Sequence, residues 1–293
     1  PLAERLHAPD AWVPLREHTA IRAPLLARLP NLRLISQRSV YPHIDVDACT
    51  KQGVVVSSSQ HANTPSMPTA ELTWGLMLAA MRQIPQQMAS LRAGNWQTGV
   101  GYSLQGRTLG LYGYGRISQV VARYATAFEM KVQVLAREAS CEKARSDGHT
   151  AASSREEFFA TSDVVSLHLR LVDDTRGIVT AADLARMKPT ALLVNTSRAG
   201  LVQSGALLDA LRAGRPGMAA LDVFDEEPIH DPNHALLKLD NVVCTPHIGY
   251  VTHEGLETQF SSIVKQILAF EAGTPTNVVN PEVLTGQRQS ADA

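Results

Sequence analysis

Three side chains in the carboxyl-terminal half have the chemistry to interconvert a carbonyl and an alcohol. His247 follows Thr245-Pro246 at the end of a short β-branched run. An imidazole there can act as general acid and base for such a pair. Glu227 stands just before Pro228 in Asp225-Glu226-Glu227-Pro228. If its carboxylate touches the ring, the imidazolium is stabilised and its pKa rises above the ordinary value of about 6.5, which keeps the proton available for carbonyl reduction at neutral pH. Arg198 comes directly after the apolar run 191–195 and can grip a carboxylate with two parallel hydrogen bonds. Each residue alone has a plainer reading: a surface arginine, a solvated loop acid, a histidine satisfied by backbone. Asp222 lies inside the otherwise apolar run 219–224. A buried carboxylate needs a partner, and a nicotinamide carboxamide, a backbone N–H or an arginine would each serve.

The stretch 108–137 says what sits beside these groups. A short apolar run (109–112) leads into Gly113-Tyr114-Gly115-Arg116-Ile117-Ser118. Ile117, Val120, Val121, Tyr124 and Phe128 then place one apolar stripe along a helix, and a second strand-like run closes the unit at 131–135. Strand, glycine turn, helix, strand is the context in which such glycines bind a dinucleotide. Gly113 permits the tight turn, Gly115 lets backbone approach a pyrophosphate, and the helix N-terminus offers unpaired N–H groups to that anion. The turn thus nominates Tyr114, Gly115, Arg116 and Ile117 for cofactor binding. Ser118 replaces the third glycine with a small side chain. At the end of the second strand, where a carboxylate would bind the ribose diol of NAD, the chain has Ala136-Arg137. An arginine there can pair with the 2′-phosphate of NADP, so both cofactors remain open.

The elements that must position these groups read as an α/β chain. Strand-like runs at 164–169, 191–195, 218–224 and 241–244 alternate with helix-like segments at 181–187 and 206–213. With the two runs of the glycine unit this makes six strands, expected to form a doubly wound parallel sheet of Rossmann type. In such sheets ligands bind beyond the carboxyl ends of the strands. That adds His168 and Thr196 to the cofactor-facing residues. Upstream, 12–15, 32–36 and 53–57 read as strands and 23–29 and 44–49 as helices, followed by a polar linker at 57–68. Residues 70–81 are apolar on nearly every side, so this helix is expected to be buried all round, covered by another domain or subunit. Pro85 breaks or restarts it, and 256–270 forms a last helix before a short segment at 277–280.

Composition narrows the class. Of 293 residues, 27 are basic and 28 acidic, which gives no electrostatic reason to invoke nucleic acid or an anionic membrane. Three widely spaced cysteines (Cys49, Cys141, Cys244) favour free thiols in a reducing, cytoplasmic setting, and neither they nor the histidines have metal-ligand spacing. No apolar run reaches the roughly 18 residues that a membrane span needs.

In order and spacing, several segments resemble the D-isomer-specific 2-hydroxyacid dehydrogenase family, which includes phosphoglycerate dehydrogenase and hydroxypyruvate/glyoxylate reductase. They are Thr64-Pro65 with Ala70-Glu71-Leu72-Thr73, Gly106-Arg107-Thr108-Leu109-Gly110 with the glycine turn, Met187-Lys188-Pro189 with Val194-Asn195-Thr196-Ser197-Arg198-Ala199-Gly200, Asp222-Val223-Phe224 with Glu226-Glu227-Pro228, and Thr245-Pro246-His247-Ile248-Gly249. The resemblance implies an NAD(P)-dependent interconversion of a small 2-oxo acid and its D-2-hydroxy acid. Arg198 would bind the substrate carboxylate and carbonyl, His247 would donate and accept the proton, Glu227 would be its partner, and Asp222 would hold the nicotinamide carboxamide. It also implies a smaller flavodoxin-like substrate domain made from both chain ends (1–66 and 251–293) around a dinucleotide domain at 67–250. A homodimer built on the helix at 70–81 is implied too. Family members begin with a further strand-helix-strand, so the substrate domain is expected to lack its first part here.

The chain departs from the family in the loop that cradles the substrate carboxylate. In place of a glycine-rich G-V-G-x-D-N-x-D, it has Ser39-Val40-Tyr41-Pro42-His43-Ile44-Asp45, one residue shorter and without either glycine. Pro42 cannot donate an N–H. Ser39, Val40, Tyr41 and Tyr250 therefore stand as the substrate-side residues, with the substrate itself open. The altered loop motivates one rival, a nucleotide-binding regulatory or scaffold protein on the same fold; the joint presence of Arg198, Glu227 and His247 argues against it. A formate dehydrogenase is disfavoured because the histidine's partner is Glu227, where that enzyme has glutamine.

Overall fold

The computed structural model describes residues 4, 6, 8–14, 19–38, 40–59 and 67–285. The chain divides into two compact units, Pro1–Pro65 with Thr252–Ala293, and Ser66–Val251.

In the first unit, β1 (Ala11–Trp12), α1 (Ala23–Leu26), β2 (Leu34–Gln37), α2 (Val46–Lys51) and β3 (Val55–Ser58) follow one another. The strands form a parallel sheet in the order β1-β2-β3. Asp45 caps α2 by accepting the N–H of Ala48 at 3.0 Å. β1 stops before Pro14, and Leu15, the end of the expected strand, lies outside the described residues. The returning chain end is tied in by Asn280. This fully buried side chain accepts the N–H of Val56 at 2.8 Å and donates to the Val54 carbonyl at 2.9 Å. Beside it, Ser57 and Val278 form an antiparallel bridge, so the short segment expected at 277–280 pairs with β3. The C-terminal helix His253–Glu271 lies on β2, where the Gln266 side-chain amide donates to the Ser36 hydroxyl at 2.7 Å in a buried contact.

The second unit runs α3 (Met67–Met81), α4 (Ile84–Arg92), β4 (Thr108–Tyr112), α5 (Arg116–Ala127), β5 (Lys131–Leu135), α6 (Glu138–Ser146), β6 (Thr150–Ala151), α7 (Arg155–Thr161) and β7 (Val164–Leu167), then α8 (Ala181–Arg186), β8 (Leu192–Asn195), α9 (Ala206–Arg212), β9 (Met218–Leu221) and β10 (Val242–Cys244). All seven strands are parallel, in the order β10-β9-β8-β7-β4-β5-β6. The expected count of six omits β6, two residues at the sheet edge with no apolar run to announce them. Alternating strand residues feed two cores. Leu109, Leu111, Val132 and Val134 meet α3 and α5 on one face, and Tyr112, Val165, Leu167 and Leu193 meet Phe158, Phe159 and Leu184 on the other. Each large side chain buried this way contributes about 1.5–3 kcal/mol. Gly110 makes close packing possible on the second face, because a Cβ there would fall 2.9 Å from the Phe158 ring.

Within this one chain, α3 buries Ala70, Trp74, Met77 and Met81, while Glu71 and Gly75 are exposed and Leu72 and Leu78 partly so. Gln83, with φ +54°, turns the chain out of α3, and Pro85 sits in the first turn of α4. Phe128 ends α5 and is 41% exposed, yet its ring packs edge-on against Trp74 at 4.9 Å. No helix among the described residues is long and apolar enough to cross a membrane.

Candidate active site

Strand order reverses between β4 and β7, and the glycine turn lies at that point, just beyond β4. Gly113 has φ +93°, and a Cβ there would stand 2.8 Å from the His168 carbonyl oxygen, so conformation and space both demand glycine. Gly115 is different: a Cβ there would meet nothing within 4 Å. It is the N-cap of the twelve-residue α5, and no side chain caps that helix. Open space above an uncapped helix N-terminus fits a dinucleotide's pyrophosphate. Ser118 is fully buried and donates its hydroxyl to the Gly115 carbonyl at 3.0 Å, so it replaces the third glycine without leaving a polar group unpaired.

The nominated turn residues divide. Arg116 is exposed at the first turn of α5, and Ile117 packs partly against the core. The Tyr114 side chain belongs to the core. It is 6% exposed and its hydroxyl donates to Asp147 at 3.0 Å, while burial, then the hydrogen bond and charge of Asp147, push its pKa up. Only its backbone is left to face the turn.

Beyond β5, Ala136 is half-buried and its carbonyl accepts the Cys141 thiol at 3.4 Å. Arg137 is exposed at the start of α6, and among the described residues its side chain has no hydrogen-bond or ion-pair partner. The neighbouring Glu138 is taken by Arg145 at 2.7 Å. His168, beyond β7, meets the Ser166 hydroxyl at 2.9 Å, and burial pushes its pKa down to about 4. It is therefore neutral at neutral pH and lines the turn without adding positive charge.

The ends of β8, β9 and β10 are neighbours in register. Asp222 N–H donates to the Asn195 carbonyl at 3.0 Å, and Thr245 N–H to the Leu221 carbonyl at 2.9 Å. Strand pairing thus brings Arg198, Asp222 and His247 to one edge of the sheet. The buried Asn195 shapes its loop by accepting Ser197 N–H and donating to the Arg198 carbonyl, both at 3.0 Å. Arg198 is half-buried and its guanidinium donates to the Ser197 carbonyl at 2.8 Å. The Thr196 hydroxyl meets that of Thr73 from α3 at 2.8 Å. Glu227 reaches His247 as expected, its Oε2 lying 2.5 Å from Nδ1, while its Oε1 accepts the N–H of Phe224 at 2.9 Å. The ring of Tyr250 stands edge-on to the imidazole at 6.2 Å.

Asp222, expected to hold a carboxamide, is 1% exposed. Its carboxylate already accepts the Thr245 hydroxyl at 2.6 Å, Ile248 N–H at 2.8 Å and Gly249 N–H at 2.9 Å. Backbone N–H groups are therefore among its partners, one of the alternatives the sequence left open. In the other unit, Val40 is exposed, Tyr41 is half-buried with its ring on that unit's core, and Ser39 lies outside the described residues, as does Thr64-Pro65. Among the described residues no group of three metal-ligating side chains converges. Sequence reading assigned no role to Thr69, which donates to the Gly249 carbonyl at 2.9 Å, or to Thr245 and Gly249. The signal for Thr245 and Gly249 was their place in a quoted motif, whereas Thr69, one residue before Ala70, lies outside the quoted segments.

Residues 74–249 match the family model of the D-isomer specific 2-hydroxyacid dehydrogenase, NAD binding domain. The chain belongs to this family. As a member it is a nicotinamide-dependent oxidoreductase that interconverts a 2-oxo acid and a 2-hydroxy acid, and the family's pattern accounts for the uncapped helix beside the glycine turn. It is 38% identical over 295 residues to a glyoxylate reductase of Thermococcus litoralis, covering 97% of this chain and 87% of that one. The crystal structure of phosphoglycerate oxidoreductase from Vibrio cholerae O395 is 46% identical and superposes with a TM-score of 0.88, covering 93% of this chain and 87% of that one. D-lactate dehydrogenase from Aquifex aeolicus, complexed with NAD and lactic acid, is 29% identical with a TM-score of 0.73, covering 93% and 86%.

Proposed function

We propose that the protein reduces a small 2-oxo acid, glyoxylate to glycolate or a substituted analogue to its D-2-hydroxy acid, with Arg198 binding the carboxylate, His247 delivering the proton and Glu227 orienting His247. The observation that carries this reading is the 2.5 Å contact between Nδ1 of His247 and Oε2 of Glu227. With Nδ1 engaged, Nε2 is the nitrogen left to protonate an oxygen. Glu227 is held in turn by the Phe224 N–H, so the ring's partner is fixed before substrate arrives. The nicotinamide, when bound, supplies or takes the hydride. Arg198 orients the acid and polarises its carbonyl, a positioning contribution in which small displacements are costly. Tyr250, beside the imidazole, bounds the space on that side and favours small substrates.

Two finer features belong to the same proposal. Arg137, unpaired next to an already paired Glu138, supports acceptance of NADP through its 2′-phosphate. A homodimer is supported less by α3 than by the segment after it, where Ile84, Met88, Leu91, Trp96 and Val100 are 43–86% exposed, more apolar surface than a lone monomer usually leaves uncovered. A monomeric mass in solution would exclude it. The free thiols Cys49, Cys141 and Cys244 support a cytoplasmic location, which fractionation of the native protein tests.

The decisive experiment is a panel of 2-oxo acids crossed with NADH and NADPH. Oxidation of cofactor by glyoxylate, giving achiral glycolate, or by a similarly small substituted 2-oxo acid, giving its D-2-hydroxy acid, is expected. Cofactor binding with no turnover across the panel counts against the proposal.

A further inference from the structure

We infer that Arg170 is the second arm of a 2′-phosphate clamp, facing Arg137 across the glycine turn, and that the two together make the enzyme select NADP(H) over NAD(H). The inference rests on the reading of Arg137 as a partner of the 2′-phosphate. β5, β4 and β7 are consecutive in the sheet, and Tyr112 pairs with Leu135 on one side and Leu167 on the other. The loops that follow these strands therefore leave the sheet side by side, with the glycine turn in the middle. Gly113 N–H donates to the Leu135 carbonyl at 2.8 Å, and His168 N–H donates to the Tyr112 carbonyl at 2.9 Å, so both outer loops are fastened to the central one. Arg137 stands two residues beyond β5 and Arg170 three beyond β7. Two strand spacings, about 10 Å, separate these loops, a gap that arginine side chains reach into from both sides.

The flanking side chains show which way Arg170 faces. Leu169 and Leu171 both pack against the core that holds Phe158, Phe159 and Leu184, on the second face of the sheet. Leu169 lies on Gly113, where a Cβ would stand 3.0 Å from its methyl, and Leu171 lies on Gly200, at 3.1 Å. Residues 168–171 continue β7 with neither helix nor turn, and along an extended chain alternate side chains point to opposite sides. The exposed Arg170 between the two leucines therefore projects toward the first face. That is the face on which α5 and α6 pack, through Val121 and Ala144, and Arg137 is the N-cap of α6. Both guanidiniums thus approach the crevice beside the uncapped end of α5. The Thr175 hydroxyl steadies the Arg170 backbone, donating to its carbonyl at 2.6 Å while accepting Val172 N–H at 2.8 Å. Among the described residues neither arginine has an ion-pair partner. Asp173 and Asp174, on the turn after Arg170, are exposed and form no ion pair with it. His168 is neutral, so Arg170 brings positive charge to that side of the turn. A phosphomonoester dianion offers oxygens to two planar forks, whereas the uncharged ribose diol of NAD gains little from either.

The test is cofactor affinity, titrated without substrate for wild type, Arg170→Ala, Arg170→Lys, Arg137→Ala and the double variant Arg137→Ala/Arg170→Ala. Wild type is expected to bind NADPH at least about tenfold more tightly than NADH. Arg170→Ala should weaken NADPH binding roughly tenfold or more and leave NADH within about twofold. Arg170→Lys, which keeps the charge and loses the fork, should fall between wild type and Arg170→Ala. The double variant should show no preference. Adenosine 2′,5′-bisphosphate should displace NADPH from wild type more strongly than 5′-AMP does, and Arg170→Ala should shrink that advantage. Equal losses of NADPH and NADH affinity in Arg170→Ala would overturn the inference, as would NADPH affinity that the substitution leaves unchanged. If Arg137→Ala abolishes the preference while Arg170→Ala leaves it intact, the reading of Arg137 stands and the clamp falls. If neither substitution alters the preference, both fall.

Discussion

Nδ1 of His247 lies 2.5 Å from Oε2 of Glu227, although the two residues are 20 apart in sequence and on loops that follow different strands. Register between β9 and β10 sets those loops side by side, and the contact leaves Nε2 as the nitrogen for the proposed proton transfer. His247→Ala should therefore lower turnover by roughly 10²–10⁴-fold, with cofactor affinity intact because the glycine turn and α5 are untouched. Steady-state kinetics beside cofactor titration check it, and wild-type turnover would exclude the assignment.

Glu227→Gln keeps the shape of the side chain and removes its charge. A neutral amide replaces a charge-assisted contact with a weaker one, so the ring is held less firmly. Turnover should fall by about tenfold or more with cofactor affinity retained. Wild-type turnover in steady-state kinetics would take Glu227 out of the proton relay.

Arg137 tests the choice of cofactor. Glu138, its sequence neighbour, is engaged by Arg145, so the guanidinium of Arg137 is not neutralised locally. Arg137→Ala should weaken NADP binding by about tenfold or more, the range for removing a charge-assisted hydrogen bond, and leave NAD binding nearly as it was. Equal losses for the two cofactors would show that the side chain does not read the 2′-phosphate.

The glycine unit was legible in the sequence because its signals are local: an apolar run, two glycines, a helical stripe and a second run within 108–137. Arg198, Glu227 and His247 were legible as strand-end residues because each lies three residues past a short apolar run, and strand ends are where such sheets bind ligands; their roles rest on the resemblance. β6 was not, since two edge residues leave no apolar run. Nor was the direction of the Tyr114 side chain, which depends on Asp147, 33 residues away. Asp222 shows the limit most clearly. Its enclosure in an apolar run demanded a partner, and local pattern could not choose among a carboxamide, an arginine and the amides of a loop 26 residues on. Sequence showed α3 as apolar on nearly every side, and local pattern could not say which of its residues meet the sheet of its own chain and which, such as Glu71 and Gly75, face outward.

Acid stability should be lost in two separate windows. Arg155 grips Asp183 with Nε on one oxygen at 2.8 Å and Nη2 on the other at 2.6 Å, and donates to the Tyr112 hydroxyl at 2.8 Å, just before the glycine turn. Burial raises the Asp183 pKa, but the hydrogen bonds from Arg155 and Thr180 outweigh it and the carboxyl ends below its ordinary value. Its stabilisation is present above the unfolded value of about 3.9 and is lost as pH falls through the lower folded value. His168 acts at higher pH. Its folded pKa is pushed down to about 4, so the unfolded chain takes the proton first, and stability falls as pH drops below the unfolded value of about 6.5. Urea midpoints from pH 7 down to pH 3 separate the two. His168→Gln should flatten the upper window only. Asp183→Asn should flatten the lower one and cost about 3 kcal/mol at pH 7, the low end for breaking a buried pair, because Arg155 is a third exposed. If Asp183→Asn leaves the loss below about pH 4 unchanged, the carboxylate that unfolds the protein there is another one.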